Sequence, residues 1–378
     1  MKVSPWFLSV LFVGLAPFLH AGEEAIHSIT VNEIVPVEGS HGDTWDPAWA
    51  PDGTLYSASN DTNGFRHAGN GNVIFNEIIG DDPTKLDGKT VNTMGDYGKM
   101  SQKGPDGCTW KSSGCISIDG VLYLLVARHL YGGDGGLLRD YDKRQQAHGA
   151  SFIKSTDGGK TWTPSAKDNY DHPMFPGSRF AAPYFIQYGQ DGKEAVADNS
   201  DKYVYALSNN GFWDNGDYLV LGRVLRSKIG ALSAKDWQFY TEGDGLADSA
   251  WSPDIRKAKS VLSNPDQLGM TRAVYMPAQK CYLMVGWYYP AGGGKLEHSE
   301  TGGDPAHITT TWTFYVASHP WGPWRAVGSH TFTPQGFYCP GVCPKFTSPD
   351  GSKAWVFTAG DWTNGSAYKL TAVSLSIK

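Results

Sequence analysis

Beyond residue 21 the chain contains no apolar run approaching the ~20 residues that a membrane-spanning helix requires. No stretch holds a 3.6-residue hydrophobic period, and no Pro/Ser-rich linker or low-complexity tract marks a boundary. Neither a helical bundle nor a string of linked domains fits that pattern. Charge is sparse at 19% of residues, and 32 Lys and Arg stand against 38 Asp and Glu for a net charge of −6. That balance disfavours nucleic acid and anionic polymers as partners. Cysteine is scarce, five in 378 residues. No Cys or His pair stands at zinc-like spacing beside a second such pair, so no metal or other cofactor is expected.

Glycine and aromatics are abundant instead, with Gly 46, Tyr 19, Phe 16 and Trp 14. Short apolar runs broken by Asp-Gly, Asn-Gly and Gly-Gly describe many short strands joined by tight turns. The N-terminus carries Lys2, an apolar stretch from Trp6 to Leu19 and then His20-Ala21-Gly22, the order of a secretory leader. The expectation is a signal peptide over residues 1–21 and a single domain over 22–378 that is secreted or periplasmic, not membrane-bound, and monomeric. In an oxidising compartment Cys108 with Cys115, and Cys339 with Cys343, are close enough in sequence to close small loops. Cys281 is then left as a buried free thiol.

A unit recurs along the chain: an aromatic-rich strand, a Gly-containing turn, a second strand, and two weaker strands around a Trp. Its copies open at Thr44–Trp49 with Leu55–Ser59, Cys115–Ile118 with Leu122–Val126, Pro183–Ile186 with Tyr203–Leu207, Arg272–Tyr275 with Tyr282–Trp287, and Pro344–Phe346 with Trp355–Phe357. Five small antiparallel sheets predict an all-β, five-bladed β-propeller. The segment Ile26–Ile34 is expected to supply the edge strand that closes the ring. Within the second unit, Ser155-Thr156-Asp157-Gly158-Gly159-Lys160-Thr161-Trp162 matches the S-x-D-x-G-x-T-W pattern of an Asp-box. It resembles the hairpin turn of sialidase-type propellers and reads as structure rather than chemistry, with Asp157 accepting bonds inside the turn.

Chemistry is expected at the first hairpin. Pairing about Asp52 places Asp43 opposite Asp61 and Asp46 opposite Ala58, so two carboxylates share the hairpin's open end. Opposed residues lie about 4.5–5.5 Å apart at Cβ, close enough for one acid to stay protonated beside the other. That is the equipment of glycosidic bond cleavage. Direct opposition favours the short carboxyl separation and retention of configuration, with Asp43 as nucleophile and Asp61 as acid/base; a bulge near Pro47 would instead shift the register by one and bring Asp46 into the site in place of Asp43. Trp45, Asp46, Asn60, Arg66 and His67 add sugar-binding potential nearby. The strand ends of other blades offer Trp110, His129, Arg179, Arg272, Tyr338 and Asp361 to the same face. The polar insertion from Leu130 to His148 is expected to lie over that face as a lid.

The run Gly42-Asp43-Thr44-Trp45-Asp46-Pro47-Ala48-Trp49-Ala50-Pro51-Asp52-Gly53-Thr54-Leu55-Tyr56, followed by Asn60-Asp61, resembles the opening of the DUF4185 propellers. Among these are endo-acting D-arabinan hydrolases of glycoside hydrolase family 183. The resemblance implies that Asp43 and Asp61 are the catalytic carboxylates and that the substrate is an arabinan-like furanoside polysaccharide or oligosaccharide. Asp46 stands where many of those proteins carry a smaller or neutral residue. Two other readings remain open: a lyase acting on a uronate-containing polymer, with His129, Arg179, Arg272 and Tyr338 as its groups, and a non-catalytic sugar-binding propeller.

Overall fold

The computed structural model describes residues 26–131, 145–194, 202–290, 309–333, 336–361 and 364–378. The expected signal peptide, residues 1–21, and most of the expected lid lie outside these.

The described strands form five sheets. The first strand, β1 (Ile29–Pro36), is set apart for the end of the ring. Blade one is β2 (Ala48–Trp49), β3 (Leu55–Thr62), β4 (Gly71–Ile79) and β5 (Asp87–Asn92). Blade two is β6 (Thr109–Ile118), β7 (Val121–Leu130) and β8 (Gln146–Ser155). Blade three holds β9 (Tyr184–Phe185), β10 (Tyr203–Asn209), β11 (Tyr218–Leu225), β12 (Trp237–Tyr240), β13 (Trp251–Ser252) and β14 (Ser260–Ser263). Blade four is β15 (Arg272–Met276), β16 (Cys281–Tyr288), β17 (Thr310–Ala317) and β18 (Arg325–Phe332). Blade five is β19 (Gly341–Cys343), β20 (Lys353–Ala359) and β21 (Leu370–Ile377). Strand β1 pairs with β21 as the outermost strand of blade five, Ile29 opposite Ile377. The two ends of the chain thus close the ring, and the fold is a five-bladed β-propeller.

Local chemistry explains the hairpins. Between β6 and β7 the loop is Asp119-Gly120, both at positive φ, the two-residue turn whose twist matches the strands it joins. In the turn Ser155-Thr156-Asp157-Gly158-Gly159-Lys160-Thr161-Trp162, Asp157 accepts from Thr161 N at 3.0 Å and Thr161 Oγ1 at 2.7 Å, while Trp162 Nε1 donates to Gly159 O. One short helix, α1 (Ala166–Asp171), is started by a capping box between Ser165 and Asp168.

Two strands differ from the sequence reading for reasons of backbone. In blade five, Pro344–Phe346 is a helical turn and the inner strand precedes it; Pro344 has no N–H to give a ladder. In blade one, Ala48 faces Tyr56 as expected, yet Asp43 bridges Asn60, not Asp61. One extra residue is absorbed between these points, where Pro47 cannot donate and Thr44 takes φ 56°. The direct opposition of Asp43 and Asp61 is therefore lost, and with it the argument for retention.

The expected disulfides are also absent: all five cysteines are buried free thiols. Cys115 lies within β6 and Cys108 just before it, and at about 3.3 Å per extended residue seven residues cannot fold back into disulfide geometry. Cys339 and Cys343 are likewise set apart along the approach to β19 and the strand itself.

Candidate active site at the mouth of the funnel

In a propeller the inner strands begin, and the second strands end, on one face. There a cavity of about 280 Å³ is lined by Asp43 from the approach to β2, Asp61 from β3, Lys111 from β6, His129 from β7, Trp287 from β16 and Tyr338 from the approach to β19. Loop residues Met100, Ser101, Tyr131, Gln145, Trp213, Asp214, Tyr289 and Tyr368 complete the lining. A larger cleft of about 620 Å³ lies between the third and fourth blades around Tyr240, Leu246, His319 and Trp321, with Asp244 as its one carboxylate among the described residues. It lacks the facing acids that bond cleavage would need.

The two aspartates sit in different electrostatic settings. Asp43 is 8% exposed, and its Oδ2 accepts from the hydroxyls of Tyr338 and Tyr368, each at 2.8 Å. Burial, opposed by Lys111 and reinforced by Asp61, pushes its carboxyl up to about 6 from an ordinary 3.8. Asp61 takes the left-handed backbone, φ 43°. Its Oδ2 is ion-paired with Lys111 and accepts from Tyr131 Oη at 2.7 Å. Its Oδ1 is buried with no hydrogen-bond partner among the described residues, an acceptor open to a ligand. Burial alone would depress Lys111, but Asp61, with Tyr131 and Asp43, turns the net shift upward, so the ammonium stays charged. Burial holds Tyr131 up at about 12 and Tyr338 and Tyr368 well above the usual phenol range, which keeps all three as neutral hydroxyl donors.

An aromatic wall faces these groups. His129 is fully buried, bonded through Nε2 to Gln145 Oε1 at 3.0 Å, and packs edge-on against Tyr131 and Trp213, both with centroids at 4.7 Å. Trp287 packs on Tyr289 at 5.2 Å and on Tyr338 at 5.8 Å. Of the expected site residues, Asp43, Asp61, His129 and Tyr338 thus meet in one cavity.

The others do structural work or lie elsewhere. Trp45 is wholly buried against Phe65, its Nε1 donating to Gly42 O. Asn60 stitches blade one to blade two, accepting from Ser112 N and donating to Ser112 O, both at 2.8 Å. Arg66 is exposed and pairs with Asp87 at 2.6 Å, while His67 lies on the surface beside His41. Trp110 packs on Tyr97 under the Arg128 guanidinium, Arg179 binds Ala258 O at 2.7 Å, and Asp361 is outside the lining. Asp46 and Arg272 plug the propeller axis. Arg272 Nε lies 3.6 Å from Asp46 Oδ1, and Arg272 Nη1 donates to Trp45 O at 2.5 Å. Asp46 Oδ2 accepts from Cys115 N at 2.7 Å. Burial pushes Asp46 up to about 6 against the pull of Arg272 and that N–H.

At the start of β6 the sequence points to Trp110-Lys111, and of the two it is Lys111, not Trp110, that lines the cavity; pleat alternation, which sends the two to opposite faces, could have separated them. Sequence reasoning passed over Tyr131, Trp213, Asp214, Tyr289 and Tyr368. Elsewhere, Asp106, Cys108 and His148 bring three candidate ligand atoms within 4.8 Å of one another. Arg128 already holds both Asp106 oxygens, at 2.9 and 2.6 Å, so that carboxylate is neutralised by a cation.

No protein-family model matches the chain, and no curated protein does. Among solved structures, a candidate hydrolase from Bacteroides ovatus ATCC 8483 superposes with TM-score 0.50 at 13% identity, over 91% of this chain and 87% of that one. An α-L-arabinofuranosidase from Fusarium graminearum follows at TM-score 0.42 and 10% identity, over 92% and 98%. A xylan β-1,4-xylosidase from Bacillus halodurans C-125 follows at 0.42 and 11%, over 91% of this chain and 54% of that one. Likeness of this degree is a likeness of fold, and the argument for chemistry stands on the cavity.

Proposed function

We propose that the chain is an exported glycoside hydrolase that cleaves a polysaccharide, of the arabinan type in keeping with the resemblance of its first hairpin. One observation carries the reading: of the three carboxylates that line one cavity, Asp61 is paired with a buried ammonium and Asp43 is buried with no cation in direct contact among the described residues. Electrostatics favour the reverse of the roles suggested by the hairpin. Asp43, with its carboxyl near 6, acts as the acid that protonates the leaving oxygen. Asp61, ion-paired with Lys111 and with Oδ1 unpartnered among the described residues, acts as the base or nucleophile. Trp213, Trp287 and Tyr289 offer apolar faces to the sugar ring.

The lyase alternative has less support. Arg179 and Arg272, its expected cations, are outside the cavity, and Lys111, the one Lys or Arg among the described lining residues, is committed to Asp61. A panel of neutral and uronate-bearing polysaccharides, scored for new reducing ends and for absorbance of unsaturated uronate, tests the proposal. Reducing ends without that absorbance support hydrolysis; the absorbance would indicate a lyase, and neither signal a sugar-binding protein.

A further inference from the structure

We infer that Lys111 is the positioning residue of the site: by pairing with Asp61 and not with Asp43, it sets the two acids apart and leaves Asp43 as the proton donor. The importance of this rests on the hydrolase reading, but its test does not.

The geometry is specific. Lys111 lies on the inner strand of blade two, opposite Ala127 of β7, with a side chain 3% exposed. Its ammonium meets Asp61 Oδ2, lies 5.2 Å from the centre of the Tyr131 ring, and acts at longer range on Asp43. A buried ammonium is stable only when paired, so Lys111 and Asp61 form a unit of zero net charge. Asp43 receives two neutral phenol hydroxyls and no cation in contact. The asymmetry between two nearby acids therefore comes from a third residue on a different blade.

The other titratable groups around the cavity do not supply it. On blade one, burial holds His41 below its usual range, which favours the neutral ring. On blade two, His129 is bonded to Gln145 and Tyr131 donates to Asp61. Asp214 from blade three is a carboxylic acid and supplies no cation. Tyr338 and Tyr368 from blade five are hydroxyl donors to Asp43.

The test is a ¹³C carboxyl NMR titration of aspartate-labelled protein, with the Asp43 signal identified by its loss in Asp43→Asn. In Lys111→Met the two acids face each other without their cation, and the Asp43 midpoint rises by about one pH unit or more, roughly tenfold in proton affinity. In Lys111→Arg, which keeps the charge, it stays at the wild-type value. In Asp61→Asn the repulsion is gone and Lys111 is released toward Asp43, so the midpoint falls. This variant decides the question alone if Lys111→Met does not fold. An unchanged midpoint in Lys111→Met or Asp61→Asn, or a shift in Lys111→Arg as large as in Lys111→Met, overturns the inference. Because no substrate is used, a failure here is separate from a failure to hydrolyse glycans.

Discussion

Replacing Asp43 by Asn is expected to stabilise the protein while it abolishes turnover. The Asp43 carboxyl titrates at about 6 in the folded chain against an ordinary 3.8, chiefly because burial penalises its charge. The folded state therefore binds a proton that the unfolded chain has already released. The resulting destabilisation is absent below about pH 4, grows as pH rises, and is complete above about pH 6. A shift of about two units at about 1.4 kcal/mol each sets it near 3 kcal/mol at pH 7. An Asn removes the charge and retains a carbonyl oxygen for the hydroxyls of Tyr338 and Tyr368. Urea unfolding of wild type and Asp43→Asn between pH 4 and pH 8 should give curves that coincide at the acid end and separate by up to about 3 kcal/mol at neutrality. A difference that does not vary with pH, or a less stable Asn variant at pH 7, would refute the electrostatic picture of Asp43.

Asp61→Asn should lower turnover about 10³-fold or more with the fold intact, as loss of a base or nucleophile does, whereas Asp157→Asn should lower the melting temperature by a few degrees and leave the rate per folded molecule unchanged. Arg272→Met should destabilise by about 3–5 kcal/mol, because it strands Asp46 in the axis, and Arg272→Met with Asp46→Leu should recover most of that loss; denaturant midpoints of the single and double variants decide it. Thiol titration of unreduced protein should find five reactive thiols after unfolding and essentially none before, and fewer than five would restore a disulfide.

Much of the fold was legible because propeller blades repeat a turn chemistry: Asp-Gly between β6 and β7, the Asp-box at the end of β8, and an aromatic strand before each turn. The carboxylates were legible because they flank one hairpin. Their register was legible only as a choice: Pro47 allows a one-residue bulge, but that the bulge forms and still leaves Asp43, not Asp46, in the cavity depends on backbone conformation that residue spacing does not reveal. Asp46 and Arg272 occupy strand starts, the places where site residues belong, but their side chains bind each other at the propeller axis. Tyr131, Trp213 and Tyr368 come from loops, and only the closed ring brings them to Asp43 and Asp61. The cysteine pairs misled because closeness in sequence means distance along an extended strand.

The central claim is that this cavity adds water across a glycosidic bond using Asp43 and Asp61. Digestion of an arabinan-type polysaccharide in H₂¹⁸O, followed by mass spectrometry of the products, tests it directly. Wild-type protein should place one solvent oxygen at each new reducing end, and Asp43→Asn or Asp61→Asn should give no labelled product above background. Unlabelled, unsaturated products, or labelled products formed equally well by the two variants, would contradict it.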